Sequence, residues 1–434
     1  MSTTAAQPRN WKVPALWLGG FVLFALFITL NKGLTTFLTY FLLGLPQGAV
    51  IALIAVGYSM VYGIIQLINF AHGEVFMLST MWVLMLVKPP ANAGPSYYVI
   101  TAAVGIMFFC TAWVLFSRFP NRFLQGLAAL VIGVGAALLN AWIMPKAGAE
   151  PRLGFFAACA VAIAYSCCLG VTMDLVAYRP LRASPRLIPL ITAIGLSIFF
   201  QNFAQSIWGS ANQYFPAKAT PEFFSGDRLQ LSGPQGIFWR SETATLEVSR
   251  LDVVIVALAL ALMTGLQLFV QKTRTGKAMR ACAQDRVTAS LMGIKVNNVV
   301  ALTFALGAGL AALVAPLYVL RGTPISPQMG YLVGILAFSS AVLGGIGNIT
   351  GAMLGGMVIG IISAFVPLFD ALDTFAWFGA AEKAGWITRA GYSQFVSWYG
   401  KPGQYQLGVA YAFMILIIVF KPTGLLGKAS AKRA

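Results

Sequence analysis

A single histidine, His72, and only twelve aspartates and glutamates are spread over 434 residues, against 29 lysines and arginines. One imidazole leaves almost no material for a histidine-based metal centre or a catalytic triad, and the shortage of acidic groups outside loops argues against an enzyme. The cysteines Cys110, Cys159, Cys167, Cys168 and Cys282 lie in apolar runs or in one basic stretch. No spacing among them resembles a zinc site, so they read as small hydrophobes and no metal is expected. Charged residues make up 9% of the chain, whereas a soluble domain carries about 25%. An ordinary soluble fold is excluded. No GxxxxGK[ST] occurs anywhere, so the chain has no P-loop and no cofactor of its own is expected. Any nucleotide energy must come from another subunit.

What is present is apolar: 59% of residues are hydrophobic, in repeated windows of about 20, the length of a bilayer-spanning helix. The expected fold class is an all-α integral membrane protein, a polytopic helix bundle of about 10 to 12 segments. Candidate spans run over 13–30, 37–62, 70–87, 97–116, 123–144, 155–177, 187–208, 251–270, 296–320, 331–346, 351–368 and 407–420. The N-terminal stretch shows no small-residue cleavage site after its apolar run and reads as a retained first span. One transmembrane domain over 1–434 is expected, with both termini on one side of the membrane.

Charge orients that bundle. With a cytoplasmic N-terminus, the inside connections hold Arg9 and Lys12; Arg118 and Arg122; Arg179, Arg182 and Arg186; the stretch 271–295; and the tail's Lys421, Lys428, Lys432 and Arg433. These carry nearly all of the +17 surplus, as the positive-inside rule requires. The scatter of basic residues over short connections excludes a nucleic-acid patch. The segments 209–250 and 369–406 are balanced in charge and are expected outside, where they dock an external protein or cap the bundle. Trp239, Trp386 and Trp398 in them also suit an interfacial belt.

The stretch most unlike its surroundings is QKTRTGKAMRACAQDRVTASLMGIK, residues 271–295. It predicts one helix of about four turns, started by Thr275 as cap, with Gly276 just inside it, and ended by Gly293 at C′. Ala278, Cys282, Asp285, Ala289 and Met292 fall on one thin face. Lys277 and Arg280 crowd the first turn, where the helix dipole disfavours cations. Helix stability is therefore not their purpose. Two readings stand: a solvated positive-inside loop, or a docking helix whose small face, with Ala281, admits a cytoplasmic partner.

Two further motifs carry polar chemistry into apolar surroundings. QLINFAHGEVFM, residues 66–77, sets Asn69, His72, Gly73 and Glu74 at the cytoplasmic start of a span. A charge at the bilayer centre costs about 2.5 to 3.5 kcal/mol, so Glu74 must lie near the interface, face a cavity or have a partner. Capping of a helix N-terminus is the alternative. SSAVLGGIGNITGAMLGG, residues 339–356, strings Gly344, Gly345 and Gly347 before Asn348 and Thr350, and then a GxxxG at Gly351 and Gly355. A broken helix lining a path and a tight helix crossing both fit this run. Asp174, one turn before Tyr178 and Arg179, reads as an intrahelical pair.

Taken together, these blocks, with QGAVIALIAVGYSMVYGII before the first, YRPLR (178–182), LITAIGLSIFFQN (190–202) and KPTGLLG (421–427), are recognisable. The chain resembles the LivH-type permease subunits of bacterial ABC importers for branched-chain amino acids. The resemblance implies a multi-pass protein of the bacterial inner membrane working with a second permease, two cytoplasmic ATPases that bind the ATP, and a periplasmic solute-binding protein. In such importers a coupling helix meets the ATPase, and the stretch from Thr275 to Ile294 resembles it. Related permeases carry urea, short amides or other small polar solutes, and a secondary transporter is the less favoured class, since Glu74, His72 and Asp174 are expected near span ends. Residues 88–154 stand out from the family's usual length as an inserted hairpin, expected to be lipid-facing and poor in small-residue patterns and polar side chains.

Overall fold

The computed structural model describes residues 12–88, 95–117, 121–144, 152–182, 184–185, 187–216, 219–225, 229–232, 245–374, 381–386, 388–399, 401–421 and 424–426. Arg9, Arg118, Arg186, Lys428, Lys432, Arg433 and Trp239 lie outside them.

Each of the twelve apolar windows forms a helix. In order these are α1 (Lys12–Lys32), α2 (Leu34–Ile65), α3 (His72–Val87), α4 (Pro95–Leu115), α5 (Arg122–Ile143), α6 (Phe155–Met173) and α7 (Leu187–Trp208). A short antiparallel hairpin, β1 (Leu229–Ser232) with β2 (Thr245–Val248), interrupts the helical order within the 209–250 segment. There follow α8 (Arg250–Lys272), α9 (Arg274–Gln284), α10 (Arg286–Leu291), α11 (Val296–Leu320), α12 (Met329–Gly344) and α13 (Ile349–Phe365). A 3₁₀ stretch (Val366–Thr374), α14 (Arg389–Tyr399) and α15 (Gln406–Phe420) complete the order. Among the described residues nine helices are long and apolar enough to cross a membrane, while α3 and α12 have 16 residues each. The protein is a polytopic all-α membrane bundle.

The centre of the bundle is α3, all sixteen of whose residues are buried. It is enclosed by α2, α6, α7, α11 and α12, with α4 beyond. Lipid tails are as apolar as leucine, so close backbone approach rather than hydrophobicity must hold such helices together. The tightest seam shows how. Gly44 and Gly48 of α2 face α13 so closely that a Cβ on them would lie 2.8 Å from Ile361 Cα and 2.9 Å from Met357 Cα, and a Cβ on Gly356 would strike Ala52. Along α13, Gly351 faces Gly344 and Gly355 faces the Ser340 carbonyl, so the GxxxG serves the turn back onto α12.

The hairpin of α4 and α5 packs on α6 and leaves one broad apolar face exposed, from Phe123 to Trp142. Its inner face departs from the expectation of few small or polar side chains. Gly105 and Gly133 meet across the hairpin, Gln125 donates to the Trp113 carbonyl at 2.7 Å, and the fully buried Asn140 accepts from Tyr165 of α6 at 2.9 Å. A buried amide forfeits its hydration unless paired; the Gln125 bond ties α5 to α4, and the Tyr165–Asn140 bond fastens the hairpin to the core. Over the other end of α6, Phe215 and Phe224 of the 209–250 segment stack edge-on against Phe155.

Candidate functional site

The link between α2 and α3 sets the site. α2 ends at Gln66, whose φ of 57° turns the chain back into the bundle. The returning residues Asn69 and Ala71 are buried, and the His72 ring lies against Gly57 and edge-on to Tyr58, with centroids 4.9 Å apart. Gly57 stands eight residues before the end of α2, which at 1.5 Å per residue puts the start of α3 about 12 Å inside the bundle. Glu74 is deeper still. The expectation that Glu74 and His72 sit near a span end is therefore corrected: a six-residue re-entrant link, 66–71, carries them inward.

From the opposite side, the segment before α12 also re-enters. Ile325 is wholly buried, and its backbone is satisfied by Gln213, which accepts at 2.8 Å and donates at 2.9 Å. α12 then begins beside α3, with Gly73 against Gly330 and Gly334, and no side-chain cap at its N-terminus. The first turns of two short helices meet inside the bundle. A carboxylate belongs at such a place, because both helix dipoles present their positive ends to it.

Glu74 is that carboxylate. Its Oε1 accepts from Ser197 Oγ at 2.9 Å and from Gln201 Nε2 at 2.8 Å, both on α7. Its Oε2 lies against Gly330 and has no hydrogen-bond partner among the described residues. The same holds for Asn69 Nδ2, His72 Nε2 and Ser59 Oγ nearby. Asn69 is held by Tyr178 Oη, which donates to its Oδ1 at 2.7 Å. Ser197 and Gln201 also line a cleft of about 430 Å³, whose other walls include Tyr58, Phe70, Ile194, Tyr331 and Gly334. These partners were missed from the sequence. Their signal was Ser197 and Gln201 four apart, and so on one face, in a membrane span that carries several polar side chains.

The glycine-run candidates are not at this site. Gly344, Gly345, Gly347, Asn348 and Thr350 form the turn from α12 to α13, fourteen residues beyond Gly330 along α12 in the case of Gly344, or about 21 Å away. Asn348 caps α13 through Gly351 N–H at 3.3 Å, and its Nδ2 donates to the Leu426 carbonyl at 2.8 Å. Leu425 and Leu426 donate backbone bonds to Leu343 and Gly344. The C-terminal KPTGLLG motif thus closes the open end of α12.

That end also bears the basic segment, whose form differs from the single helix expected. It is two helices, α9 and α10, broken at Asp285, where φ is −156° and the side chain caps α10 through Val287 and Thr288 N–H. The cap of α9 is Thr273, not Thr275: its Oγ1 accepts from Gly276 N–H at 3.0 Å. Asp285 therefore leaves the apolar stripe. Met279 and Cys282 are buried with Ala289, while Met292 is 79% exposed. Gly293, with φ of 82°, ends α10 as expected, and Ile294 N–H reaches back to the Ala289 carbonyl. Arg280 is exposed and its guanidinium meets the Gln271 carbonyl at 3.2 Å, and Ala281 is half-buried.

Arg286 joins this segment to the end of α2, from which the re-entrant link leads to the site. Its guanidinium donates to the Ile64 carbonyl at 3.0 Å and to the Ile65 carbonyl, the orphan groups at the end of α2. Burial there, together with the nearby charge of Arg182, lowers its pKa from the ordinary guanidinium value. Asp174 pairs with Arg179 at 3.2 Å and also with Arg182, which the sequence reading had not linked to it.

A buried carboxylate between re-entrant helix starts, beside a cleft in a polytopic bundle, is an arrangement that suits a membrane permease. The chain belongs to the family described as branched-chain amino acid transport system, permease component, whose model matches residues 40–418. It is 34% identical over 390 residues to the high-affinity branched-chain amino acid transport system permease protein BraD of Pseudomonas aeruginosa, covering 90% of this chain and 95% of that protein. Identity to the corresponding LivH proteins of Salmonella typhimurium and Escherichia coli K12 is 33% over 392 residues, with the same coverage. No solved structure matches.

Proposed function

We propose that this chain is the membrane-spanning subunit of an ATP-driven importer for branched-chain amino acids in the bacterial inner membrane. What carries the reading is a match along nine-tenths of the chain to permeases named for that cargo. The end bearing α9 and α10 is cytoplasmic, in keeping with its surplus of lysine and arginine. There Val287, Leu291 and Met292 are 71, 82 and 79% exposed, an apolar patch on a charged surface and a fitting contact for an ATPase subunit. A second permease packs beside α7 and α12 and leaves the mouth of the cleft, where Ile194, Ile198 and Tyr331 are exposed, open to the path between the two subunits. A periplasmic binding protein delivers the cargo against the outer segments 209–250 and 369–406.

The test is reconstitution with the ATPases, second permease and binding protein encoded beside it. ATP-dependent uptake of leucine, isoleucine and valine is expected. Uptake of urea or short amides in their place would reassign the cargo, and uptake driven by an ion gradient without ATP would sink the importer reading.

A further inference from the structure

Nothing in the family match says where the cargo touches this subunit. We infer that the cleft between α7 and α12 is a transient station for a zwitterionic aliphatic amino acid, with Ser197 and Gln201 meeting its ammonium and Glu74 behind them as the counter-charge. The inference rests on the transport reading and deepens it.

Three independent features of the cleft point the same way. Its size, about 430 Å³, admits one amino acid with room to pass. Most of its wall is apolar, formed by Phe70, Ile194, Ile198 and Ile335, which suits a branched side chain. Its polar side chains are Ser197, Gln201 and the phenols of Tyr58 and Tyr331, and Ser197 and Gln201 both spend a donor on the same Glu74 oxygen. Gln201 Nε2 also donates to Ser197 Oγ at 3.3 Å, which leaves one serine lone pair and the glutamine carbonyl as acceptors, the right complement for an ammonium group. Glu74 is fully buried and has no cationic partner among the described residues, where the ion pairs are made by Asp174 and Asp252. A buried unpaired carboxylate is costly where it is merely structural, because a neutral glutamine would make the same two bonds. A negative charge held just behind a cleft wall raises the local concentration of cations in the cleft. Glu74 is thus a positioning residue, acting through the α7 pair.

The inference is tested on the assembled importer in proteoliposomes, with Ile194→Cys placed on the cleft wall and labelling of the parent chain subtracted. Thiol-reactive methanethiosulfonates of opposite charge serve as probes, each rate normalised to a free thiol in solution. The cationic reagent is expected to react about tenfold faster than the anionic one, the effect of one charge across a partly hydrated wall. Glu74→Gln, which keeps both hydrogen bonds, is expected to bring the normalised ratio near one, and leucine-loaded binding protein with ATP is expected to slow labelling. A ratio near one in the Glu74 protein overturns the inference by itself, even if the glutamine variant fails to assemble. A ratio that survives Glu74→Gln, or labelling indifferent to leucine, also overturns it. If the complex proves not to carry leucine, the charge ratio still reports on Glu74, so the two readings fail separately.

Discussion

At the scale of single residues, the bundle shows where charge is tolerated and why. Asp174 is wholly buried between Arg179 and Arg182, which are 25 and 14% exposed in their side chains. Removing one member of such a pair leaves the others desolvated without compensation. Asp174→Ala is expected to destabilise the subunit by roughly 3 kcal/mol, the low end for a buried pair because both arginines keep some water. Thermal unfolding of the purified protein in detergent measures this, and an unchanged midpoint would show the pair to be idle. Gly356 sets a steric limit of the same kind: a side chain there strikes Ala52 of α2. Gly356→Leu is expected to cost about 3 kcal/mol or more, by forcing apart backbones that no rotamer change can relieve. A normally assembled Gly356→Leu variant would contradict the seam.

The elements divide into those that a sequence announces and those that only packing creates. Every membrane helix lies where a run of about 20 apolar residues, or a somewhat shorter one for α3 and α12, had marked it. Gly293 was legible as a stop because a left-handed φ at C′ favours glycine. Asp285 could have been read as a helix start, since an aspartate followed by a threonine three residues on is a capping arrangement, but the small-residue periodicity running through it won the assignment. The depth of Glu74 was not legible. It depends on the Gln66 turn and on contacts with α7 more than 120 residues away, as does the grip of Arg286 on Ile64, 222 residues off. The orientation of α9 and α10 carries its own prediction. Gly293→Pro breaks the end of α10, and Leu291→Asp charges its exposed tip; both are expected to reduce ATPase copurification and uptake at least tenfold while the subunit stays in the membrane. Normal assembly and uptake in both would show that the partner docks elsewhere. Deleting the 88–154 hairpin, by contrast, is expected to lower stability more than uptake, because its outer face is open while Asn140 fastens its inner face to Tyr165 of the core. Complete loss of uptake from a stable, assembled deletion would place the hairpin on the path.

At the scale of the whole molecule, the question is how tightly a conduit holds what it conducts. A zwitterion bound firmly inside a membrane needs partners for both charges, since either one buried alone is strongly unfavourable. Here Glu74 answers the ammonium only at second hand, with Oε1 already shared by Ser197 and Gln201. The helix starts that suit a carboxylate face Glu74 itself, and the glycine turn near Gly347 is capped by Asn348 at the far end of α12. Among the described residues no cation lines the cleft. In the proposed importer, selectivity then falls to the external binding protein, which would deliver cargo at high local concentration, so a tight internal site would only delay release. Isothermal titration of leucine, isoleucine and valine into the purified permease pair, without binding protein, is expected to detect nothing tighter than about 1 mM, or roughly −4 kcal/mol. A micromolar site abolished by Glu74→Gln would mean that the subunit selects its own cargo, and with an acid buried this deep it would restore the case for a secondary transporter.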